Sequence, residues 1–366
     1  MKISTLTLKN FRNIQFEKIY FKDGVNVLSG KNAQGKTNIL ESIAFCSYLK
    51  SFRSCREEQL VKYGSDSACI CLEYESGGVP CKIEIKIFRD RSKELKKNGL
   101  SVSKNRELIG EFLSIVFTPD HLNIIKEGPN KRRSFMDMAL CSLDVKYTDS
   151  LLRYQKVLMQ KNALLKKLNM LSDGFSGEEL LDIYDRKLAQ EGAYISVARA
   201  RYLESLEPFA RDIFGRMSKG EGKLKLLYIN QFAKTVENIE QMEKAIFSRL
   251  VSKRSSDISF QLTQSGVQKD DFLVLNSGKS LKYFGSQGQI RSAVLSLILA
   301  QSEVIYKKCG EYPVVILDDI LSELDRTRRA FILDGLHNAQ CILSTCETQK
   351  VKNRGNILKV KDGRIV

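Results

Sequence analysis

The sequence predicts an α/β fold in which a mainly helical segment separates two parts that contain both strands and helices. Residues 1–105 contain short stretches with alternating apolar residues, which is typical of strands. In the middle of the chain, apolar residues recur at helical spacing, and the last hundred residues return to short apolar runs between helical segments. We therefore expect the two outer parts to form one domain, split in sequence by the insertion.

The N-terminal part predicts strands joined by tight turns. Residues 3–8 and 14–16 alternate around a turn at Lys9–Asn10, and residues 24–29 predict a third strand that leads into a helix over residues 36–48. The strands 67–75 and 81–88 are expected to join through residues 77–80, and Asn98–Gly99 suits a type I′ hairpin turn.

The middle predicts a helical hairpin. Apolar residues recur at steps of three and four from Tyr147 to Leu168 and from Leu181 to Leu206, with a turn at Ser172–Gly174 between them. Pro208 is expected to begin a new helix, because proline is tolerated in a first turn and not in a helix interior. Residues 237–253 predict one more helix.

The C-terminal part predicts a return to α/β structure. A long apolar helix is expected over residues 290–307, and a buried strand over residues 313–318. A further helix over residues 327–336 and a strand over residues 341–345 follow. The expected lobes are 1–110 and 310–366, which form lobe I, and 111–309, which form lobe II with the hairpin.

The charge of the chain favours a polyanionic partner. The 366 residues carry a formal net charge of +16, which points to nucleic acid first and to an anionic membrane surface second. A well-solvated basic protein is the alternative. No apolar run of about 18 residues and no signal peptide is visible, so a soluble, intracellular protein is expected. The nine cysteines include no C-x-x-C pair and are expected to be reduced thiols, not zinc ligands.

The clearest local motif is a phosphate-binding loop of the form G-x-x-x-x-G-K-[ST]. Its backbone N–H groups would surround phosphate, Lys36 would reach the β- and γ-phosphates, and the Thr37 hydroxyl would bind Mg²⁺. A glycine turn with a coincidental lysine is the alternative. The motif comprises Gly30, Lys31, Asn32, Ala33, Gln34, Gly35, Lys36 and Thr37.

A nucleotide site of this kind also requires an acidic strand end. The apolar run Val314–Leu317 is followed directly by Asp318 and Asp319. Asp318 would hold Mg²⁺, and Asp319 would polarise the water that attacks the γ-phosphate. A pair of aspartates that caps the next turn is the alternative.

A third motif, Ser286–Gln289, precedes the long apolar helix. Alone it is explained by an N-capping serine, but it lies 32 residues before Asp318, and Ser322–Asp325 follows that acid. This order resembles the ABC-type ATPase head, with Walker A, signature, Walker B and D-loop motifs. The resemblance implies that Ser286, Gly288 and Gln289 of one subunit, with Asp325, complete the ATP site of another.

Further segments resemble the RecF family of SMC-like ATPases. The resemblance implies an ABC-type, SMC-like P-loop ATPase head with an inserted, mainly helical second lobe. It also implies ATP-dependent dimerisation on double-stranded DNA near single-strand gaps, slow DNA-stimulated ATP hydrolysis, and cooperation with RecR (with RecO) in recombinase loading in the bacterial cytoplasm, at the nucleoid. The segments are Leu8–Asn13, Thr37–Glu41, Lys50–Arg53, Val116–Asp120, Gly128–Asp137 and Phe284–Gln289.

The resemblance carries residue roles and has exceptions. Lys36, Asp319 and Ser286 would be catalytic, and Asn38 and Arg12 would contact nucleotide, although Arg12 could equally be a surface arginine at a strand end. Asp319 replaces the usual Glu, which predicts slow hydrolysis. Ala33 replaces a common glycine and should not need a positive φ. In Gly266–Asp271 the usual Pro-His-Arg is Val-Gln-Lys, and we assign that segment no role.

DNA contacts are predicted only as a set of basic residues, each of which could be a solvated surface charge. Arg132 and Arg133 are further candidates, with a structural role between lobes as the alternative. Another ABC-type ATPase, such as the ATPase subunit of a transporter, and a non-hydrolysing ATP-binding scaffold are the alternative functions. The predicted DNA contacts are Arg53, Arg56, Lys96, Lys97 and Lys131.

Overall fold

The computed structural model describes residues 1–53, 55–168, 177–218, 220, 222–233, 238–335, 338–347 and 355–366. The chain divides into two compact units. Unit 1 comprises Met1–Asn123, Asp212–Glu221 and Arg291–Val366, and unit 2 comprises Ile124–Arg211 and Gly222–Ile290. The α/β class of fold is confirmed. The units divide the chain after residues 123, 211, 221 and 290, whereas the predicted lobe boundaries fall after residues 110 and 309.

The elements follow the predicted order closely. The strands are β1 (Lys2–Phe11), β2 (Ile14–Tyr20), β3 (Val25–Ser29), β4 (Ser67–Ser76), β5 (Val79–Phe88), β6 (Glu94–Lys97), β7 (Leu100–Val102), β8 (Ser114–Phe117), β9 (Leu224–Ile229), β10 (Asp271–Asn276), β11 (Lys279–Ser280), β12 (Val314–Leu317), β13 (Cys341–Thr345), β14 (Asn356–Lys361) and β15 (Arg364–Ile365). The helices are α1 (Lys36–Tyr48), α2 (Pro129–Leu143), α3 (Val145–Leu168), α4 (Glu178–Met217), α5 (Ile239–Ser252), α6 (Arg254–Phe260), α7 (Leu281–Phe284), α8 (Gln287–Cys309) and α9 (Arg326–Gly335).

Unit 1 contains an antiparallel sheet with the strand order β2-β1-β4-β5-β6-β7. Alternate residues such as Ile70, Leu72 and Ile85 are buried in the core that also includes apolar residues of α1, and the residues between them face outwards. The β6–β7 turn has positive φ at both Asn98 (49°) and Gly99 (82°), which confirms the predicted type I′ turn.

Unit 1 also contains a mainly parallel sheet with the order β15-β14-β3-β13-β12-β8. Its strands β12, β13 and β8 are buried along their whole length, which explains their continuous apolar sequences. Strand β13 pairs in parallel with both β3 and β12, so the carboxyl ends of these three strands lie side by side. The loops that follow β3 and β12 are thereby brought to one edge of the sheet.

The helical hairpin is formed by α3 and the part of α4 that lies in unit 2, and the predicted turn at residues 172–174 lies outside the described residues. The predicted helix start at Pro208 is wrong, because α4 continues through this residue to Met217. Proline has no backbone N–H, so the helix loses one hydrogen bond at this residue. The nearby residues Leu206 and Ala210 are fully buried, and their packing keeps the segment helical. In the described residues, no helix combines the length and the apolar character needed to cross a bilayer.

A buried ion network links three helices of unit 2. The Lys161 ammonium on α3 lies 2.8 Å from Asp185 of α4 and 2.9 Å from Asp257 of α6, and all three side chains are inaccessible to solvent. Arg254 adds a second cation, 2.8 Å from Asp185. The network balances charge inside the hairpin and fixes the register of the three helices.

Replacing Lys161 with Met should lower the free energy of unfolding by about 3–5 kcal/mol, because two buried carboxylates lose a cation that neutralises them. Urea unfolding followed by far-UV circular dichroism measures the change. Lys156→Met, at an exposed position on the same helix, is the matched control. If the Lys161→Met protein resisted urea as well as the wild type does, the network would not stabilise the unit.

Candidate nucleotide-binding site

The loop between β3 and α1 has backbone conformations and close contacts that only some residue types allow. Gly35, immediately before α1, has φ 105°, and a Cβ on Gly30 would lie 2.3 Å from the Val360 carbonyl oxygen. Ala33 has φ 64°, so the prediction that this position avoids positive φ is wrong. The loop requires the left-handed conformation there, at a cost of about 1–2 kcal/mol for a residue with a Cβ.

The side chain of Lys36 folds over this loop. Its Nζ donates hydrogen bonds to the carbonyl oxygens of Gly30 (2.6 Å) and Lys31 (2.8 Å), and the residue is only 6% exposed. Residues 31–33 at the rim of the loop are exposed. A held ammonium together with the N-terminus of α1 favours an anion at this place.

Thr37 and Asp318 are in direct contact. The Thr37 hydroxyl donates to Asp318 Oδ1 at 2.8 Å, and the Ser344 hydroxyl on β13 donates to the same oxygen at 2.8 Å. The phosphate-binding loop and the acidic strand end are therefore parts of one site. A carboxylate beside a hydroxyl suits Mg²⁺, which takes few protein ligands and keeps several waters.

Asp319 has an unusual backbone and a perturbed carboxyl. Its φ is 49°, and its backbone N–H donates to the Ser344 hydroxyl at 2.9 Å. Burial raises the pKa of Asp319 above its ordinary value, the nearby Asp318 and Glu323 carboxylates raise it further, and Lys36 opposes the shift. A carboxylate with a raised pKa is a better proton acceptor.

Arg12 is held by a carboxylate that the sequence reasoning missed. Its guanidinium makes two hydrogen bonds to Glu41 on α1, at 2.9 Å and 2.7 Å, and the Glu41 side chain is fully buried. The hydrogen bond to Glu41 raises the pKa of Arg12. A signal was present, because a carboxylate between buried apolar residues of a helix requires a cationic partner. The predicted contact of Arg12 with nucleotide stays a prediction.

A second polar chain lies beside Arg12. Asn38 on α1 donates to the Asn13 side-chain oxygen at 2.8 Å, and Arg53 donates to the Asn38 side-chain oxygen at 2.8 Å. Arg53, predicted as a DNA contact, therefore lies next to the helix that follows the phosphate-binding loop.

Two other neighbours of the loop had no signal in the sequence. The turn between β14 and β15 donates its Gly363 N–H to the Gln34 carbonyl (2.9 Å) and its Asp362 N–H to the Gln34 side chain (2.8 Å). Cys346, directly after β13, has its Sγ 3.3 Å from Lys36 Nζ. Both contacts depend on strand order, which short apolar segments do not reveal.

The signature segment lies in unit 2 and forms a helix cap. Gln289 N–H donates to the Ser286 hydroxyl at 3.2 Å, and Ser286 N–H donates to the Gln289 side chain at 3.0 Å, a reciprocal capping arrangement at the start of α8. Ser286 is exposed, as are Tyr283 (72%) and Phe284 (74%). The capping role is present, and this exposed helix start also leaves a surface for another molecule.

Asp325 caps α9 in unit 1. Its carboxylate accepts the Arg328 N–H at 2.9 Å, and this hydrogen bond is the main cause of the lowered pKa of Asp325. The Arg328 guanidinium also donates to the Ser292 hydroxyl of α8 at 2.9 Å. The D-loop candidate thus has a structural role in the single chain.

The basic candidates for DNA contact differ in exposure. Arg56 is 84% exposed at its side chain and lies 3.6 Å from Glu58, and Lys96 is exposed. Lys97 and Lys131 pair with Glu111 (2.6 Å) and Glu127 (3.1 Å).

Arg132 is buried and has a structural role within one unit. Its side chain is 3% exposed and makes two hydrogen bonds to Asp271, at 2.6 Å and 2.8 Å. Arg133 donates to the Asp270 carbonyl oxygen at 2.6 Å. The predicted pairing between lobes is therefore wrong, because α2 and the start of β10 both belong to unit 2.

Comparisons with known proteins cover almost the whole chain. The family model of the RecF/RecN/SMC N terminal domain matches residues 2–364. The DNA replication and repair protein RecF of Clostridium perfringens (strain SM101 / Type A) is 36% identical over 370 residues, which cover 100% of this chain and 99% of that protein. The protein of the same description from Clostridioides difficile (strain 630) is 34% identical over 371 residues, which cover 100% of this chain and 98% of that protein.

Solved structures are similar over the same length. A structure of the recombination mediator protein RecF-ATPrS in the RecFOR pathway has a TM-score of 0.93 and 34% identity, with coverage of 99% of this chain and 97% of that chain. An Smc head bound to the C-winged helix domain of ScpA has a TM-score of 0.58 at 18% identity, with coverage of 100% and 97%, and is similar in fold alone.

Replacing Glu41 with Gln should lower the free energy of unfolding by about 2 kcal/mol, because the Arg12 guanidinium loses a charged acceptor. Chemical unfolding measures the loss, and Glu58→Gln, whose side chain is 48% exposed, is the control. The double variant Arg12→Met/Glu41→Leu should recover part of the stability, since no buried charge is then unpaired. If the loss of stability in the double variant equalled the sum of the losses in Arg12→Met and Glu41→Leu, the pairing would be contradicted.

Proposed function

Because the chain belongs to the RecF family, within the wider group of RecF/RecN/SMC N terminal domains, we propose that it is an ATP-binding DNA replication and repair protein. The observation that carries the proposal is the contact of Thr37 with Asp318, since it joins the two halves of an ATP site at one sheet edge. The proposed activity is a weak, DNA-stimulated hydrolysis of ATP to ADP and phosphate.

Each residue of the site has a role in this proposal. Lys36 exchanges its hydrogen bonds to two loop carbonyls for the β- and γ-phosphates, while the loop N–H groups bind the remaining oxygens. Thr37 and Asp318 would hold Mg²⁺, which would neutralise charge on the phosphates. Asp319 orients and deprotonates the attacking water, for which its raised pKa is suited.

We further propose that ATP joins two copies of the chain. The exposed start of α8, with Ser286, Gly288 and Gln289, would approach the γ-phosphate bound by the other copy, because helix N-termini bind anions. By the resemblance of Ser322–Asp325 to a D-loop, Asp325 would also lie at that junction. The exposed Tyr283 and Phe284 support the proposal, since apolar rings beside the cap would be covered by a partner.

The partner in this proposal is double-stranded DNA near single-strand gaps, in the bacterial cytoplasm. The net charge of +16 supports a polyanion, and Arg53, Arg56, Lys96, Lys97 and Lys131 stay the candidate phosphate contacts. With DNA bound, the closed dimer would help RecR, with RecO, to load recombinase. Hydrolysis through Asp319 would reopen it.

Ser286→Arg should leave ATP binding by the single chain intact and abolish ATP-dependent dimerisation, because the arginine blocks the junction. Lys36→Met should abolish both. A fluorescent ATP analogue reports binding, light scattering after size exclusion reports mass, and Ser255→Arg at an exposed position of α6 is the control. An ATP-dependent dimer of the Ser286→Arg protein would refute closure through the signature.

Asp319→Asn should slow single-turnover hydrolysis by about 10²–10⁴-fold, the usual contribution of a general base, while ATP still binds. The wild-type rate should rise with duplex DNA at low salt and fall on acidification through the raised pKa of Asp319, since a protonated carboxyl cannot accept a proton. Wild-type protein that binds ATP but shows no turnover with DNA would instead be a non-hydrolysing scaffold.

A further inference from the structure

A buried serine hydroxyl lies between the two aspartates that follow β12. Ser344 is near the end of β13, a strand buried along its whole length, and is only 1% exposed. Its hydroxyl donates to Asp318 Oδ1 at 2.8 Å and accepts the Asp319 N–H at 2.9 Å. A backbone N–H can only donate and a serine hydroxyl has a single proton, so these directions are settled. One oxygen atom therefore joins the proposed Mg²⁺ ligand to the residue proposed to activate water.

The hydrogen bond to Asp318 fixes the orientation of its carboxylate. Oδ1 accepts hydrogen bonds from two hydroxyls, those of Thr37 on α1 and Ser344 on β13, each at 2.8 Å. Because the donors belong to different elements, they hold the carboxylate against rotation, and the direction of its other oxygen is set as well. Partners behind a metal ligand commonly orient it in this way and tune its affinity for the metal.

The hydrogen bond to Asp319 holds a backbone conformation that residues with a Cβ rarely adopt. Asp319 has φ 49°, in the left-handed region. Ser344 fixes the N–H side of this residue, and the Ser322 hydroxyl donates to its carbonyl oxygen at 2.7 Å. Ser322 is exposed and Ser344 is buried, so water can replace the first hydroxyl more easily than the second. A strained backbone persists only where its surroundings hold it, so the direction of the Asp319 carboxylate depends on Ser344.

We propose that Ser344 is a positioning residue for ATP hydrolysis, which holds Asp318 and Asp319 in one fixed relation through a single hydroxyl. The inference rests on the proposed function, since it assigns a role within the same site. Ser344 acts through the two aspartates. Its loss should therefore weaken the effect of Mg²⁺ on ATP binding and slow hydrolysis, while the loop Gly30–Thr37 keeps its own affinity for phosphate.

Three substitutions separate the hydroxyl of Ser344 from its volume. Ser344→Ala removes the hydroxyl, and Ser344→Cys keeps a side chain of similar shape with a much weaker hydrogen-bonding group. Ser344→Thr keeps the hydroxyl on a residue that favours strands. Ser296→Ala is the matched control, because Ser296 of α8 is also fully buried in unit 1 and its hydroxyl donates within its own helix, to the Ser292 carbonyl oxygen at 2.7 Å.

The first measurement is hydrogen–deuterium exchange of the full chain without nucleotide or metal, read by mass spectrometry. The Asp319 amide should exchange about fivefold faster in Ser344→Ala and Ser344→Cys, the factor that corresponds to one lost hydrogen bond. Ser344→Thr and Ser296→Ala should match the wild type. Unchanged exchange across β8 in all variants would show that the sheet is intact. Wild-type exchange at Asp319 in both Ser344→Ala and Ser344→Cys would overturn the proposal.

The second measurement titrates Mg²⁺ into the protein with a fluorescent ATP analogue. Ser344→Ala and Ser344→Cys should raise the Mg²⁺ concentration at half-maximal binding by about 10–100-fold, the usual effect of losing a partner behind a metal ligand. Binding of the analogue without Mg²⁺ should not change, because the loop is intact. Ser344→Thr should recover most of the Mg²⁺ dependence. A wild-type Mg²⁺ dependence in Ser344→Ala and Ser344→Cys would contradict the role of the hydroxyl in holding Asp318.

Single-turnover hydrolysis with duplex DNA completes the test. Ser344→Ala should slow hydrolysis about 10–100-fold in the wild type and by a smaller factor in an Asp319→Asn background, because residues that act together are not additive. Equal slowing in both backgrounds would show that Ser344 does not act through Asp319. If the wild type binds ATP without hydrolysing it, the proposed ATPase fails, and the exchange and Mg²⁺ measurements still decide whether Ser344 positions the two aspartates.

Discussion

The hydrogen bonds that Thr37 and Ser344 donate to Asp318 hold the candidate site together. They connect the ends of three parallel strands: the motifs follow β3 and β12, and β13 between them supplies the Ser344 hydroxyl. If β13 did not lie between β3 and β12, the loop and the acid would be separate features of the sequence with no joint chemistry. The order of the strands is therefore the constraint from which the proposed ATP chemistry follows.

Buried charges elsewhere perform a comparable structural task. Glu41 ties the Arg12 turn to α1, and Lys161 joins α3 to α4 and α6. Each charge is costly to bury alone, so each tolerates only an arrangement in which its partner is present. The need for a partner therefore favours one register of the turn or the helix. Apolar packing alone would define that register less strictly.

The sequence predicts features formed by adjacent residues well and contacts between distant segments poorly. The loop Gly30–Thr37, the strand end at Asp318 and the Asn98–Gly99 turn form where the sequence predicts them, because each pattern lies within a few adjacent residues. Ala33 and Pro208 contradicted local propensity, since the loop geometry in one case and buried neighbours in the other outweighed a few kcal/mol. The neighbours Gly363 and Cys346 could not be found, because they reach the loop only through the pairing of strands far apart in the chain.

The pairing of β14 with β3 bears on how the protein is made. Strands β1 and β2 are neighbours in sequence and can pair early, but β3 pairs with residues 341–345 and 356–359. Such a long loop is slow to close, and its closure requires the distant segment to be present. On the ribosome, a nascent chain would carry Gly30–Thr37 for most of its synthesis without the turn at Asp362–Gly363 that supports Gln34. The proposed ATP site would therefore reach its folded geometry only late in synthesis, once Asp362 and Gly363 can pair with Gln34.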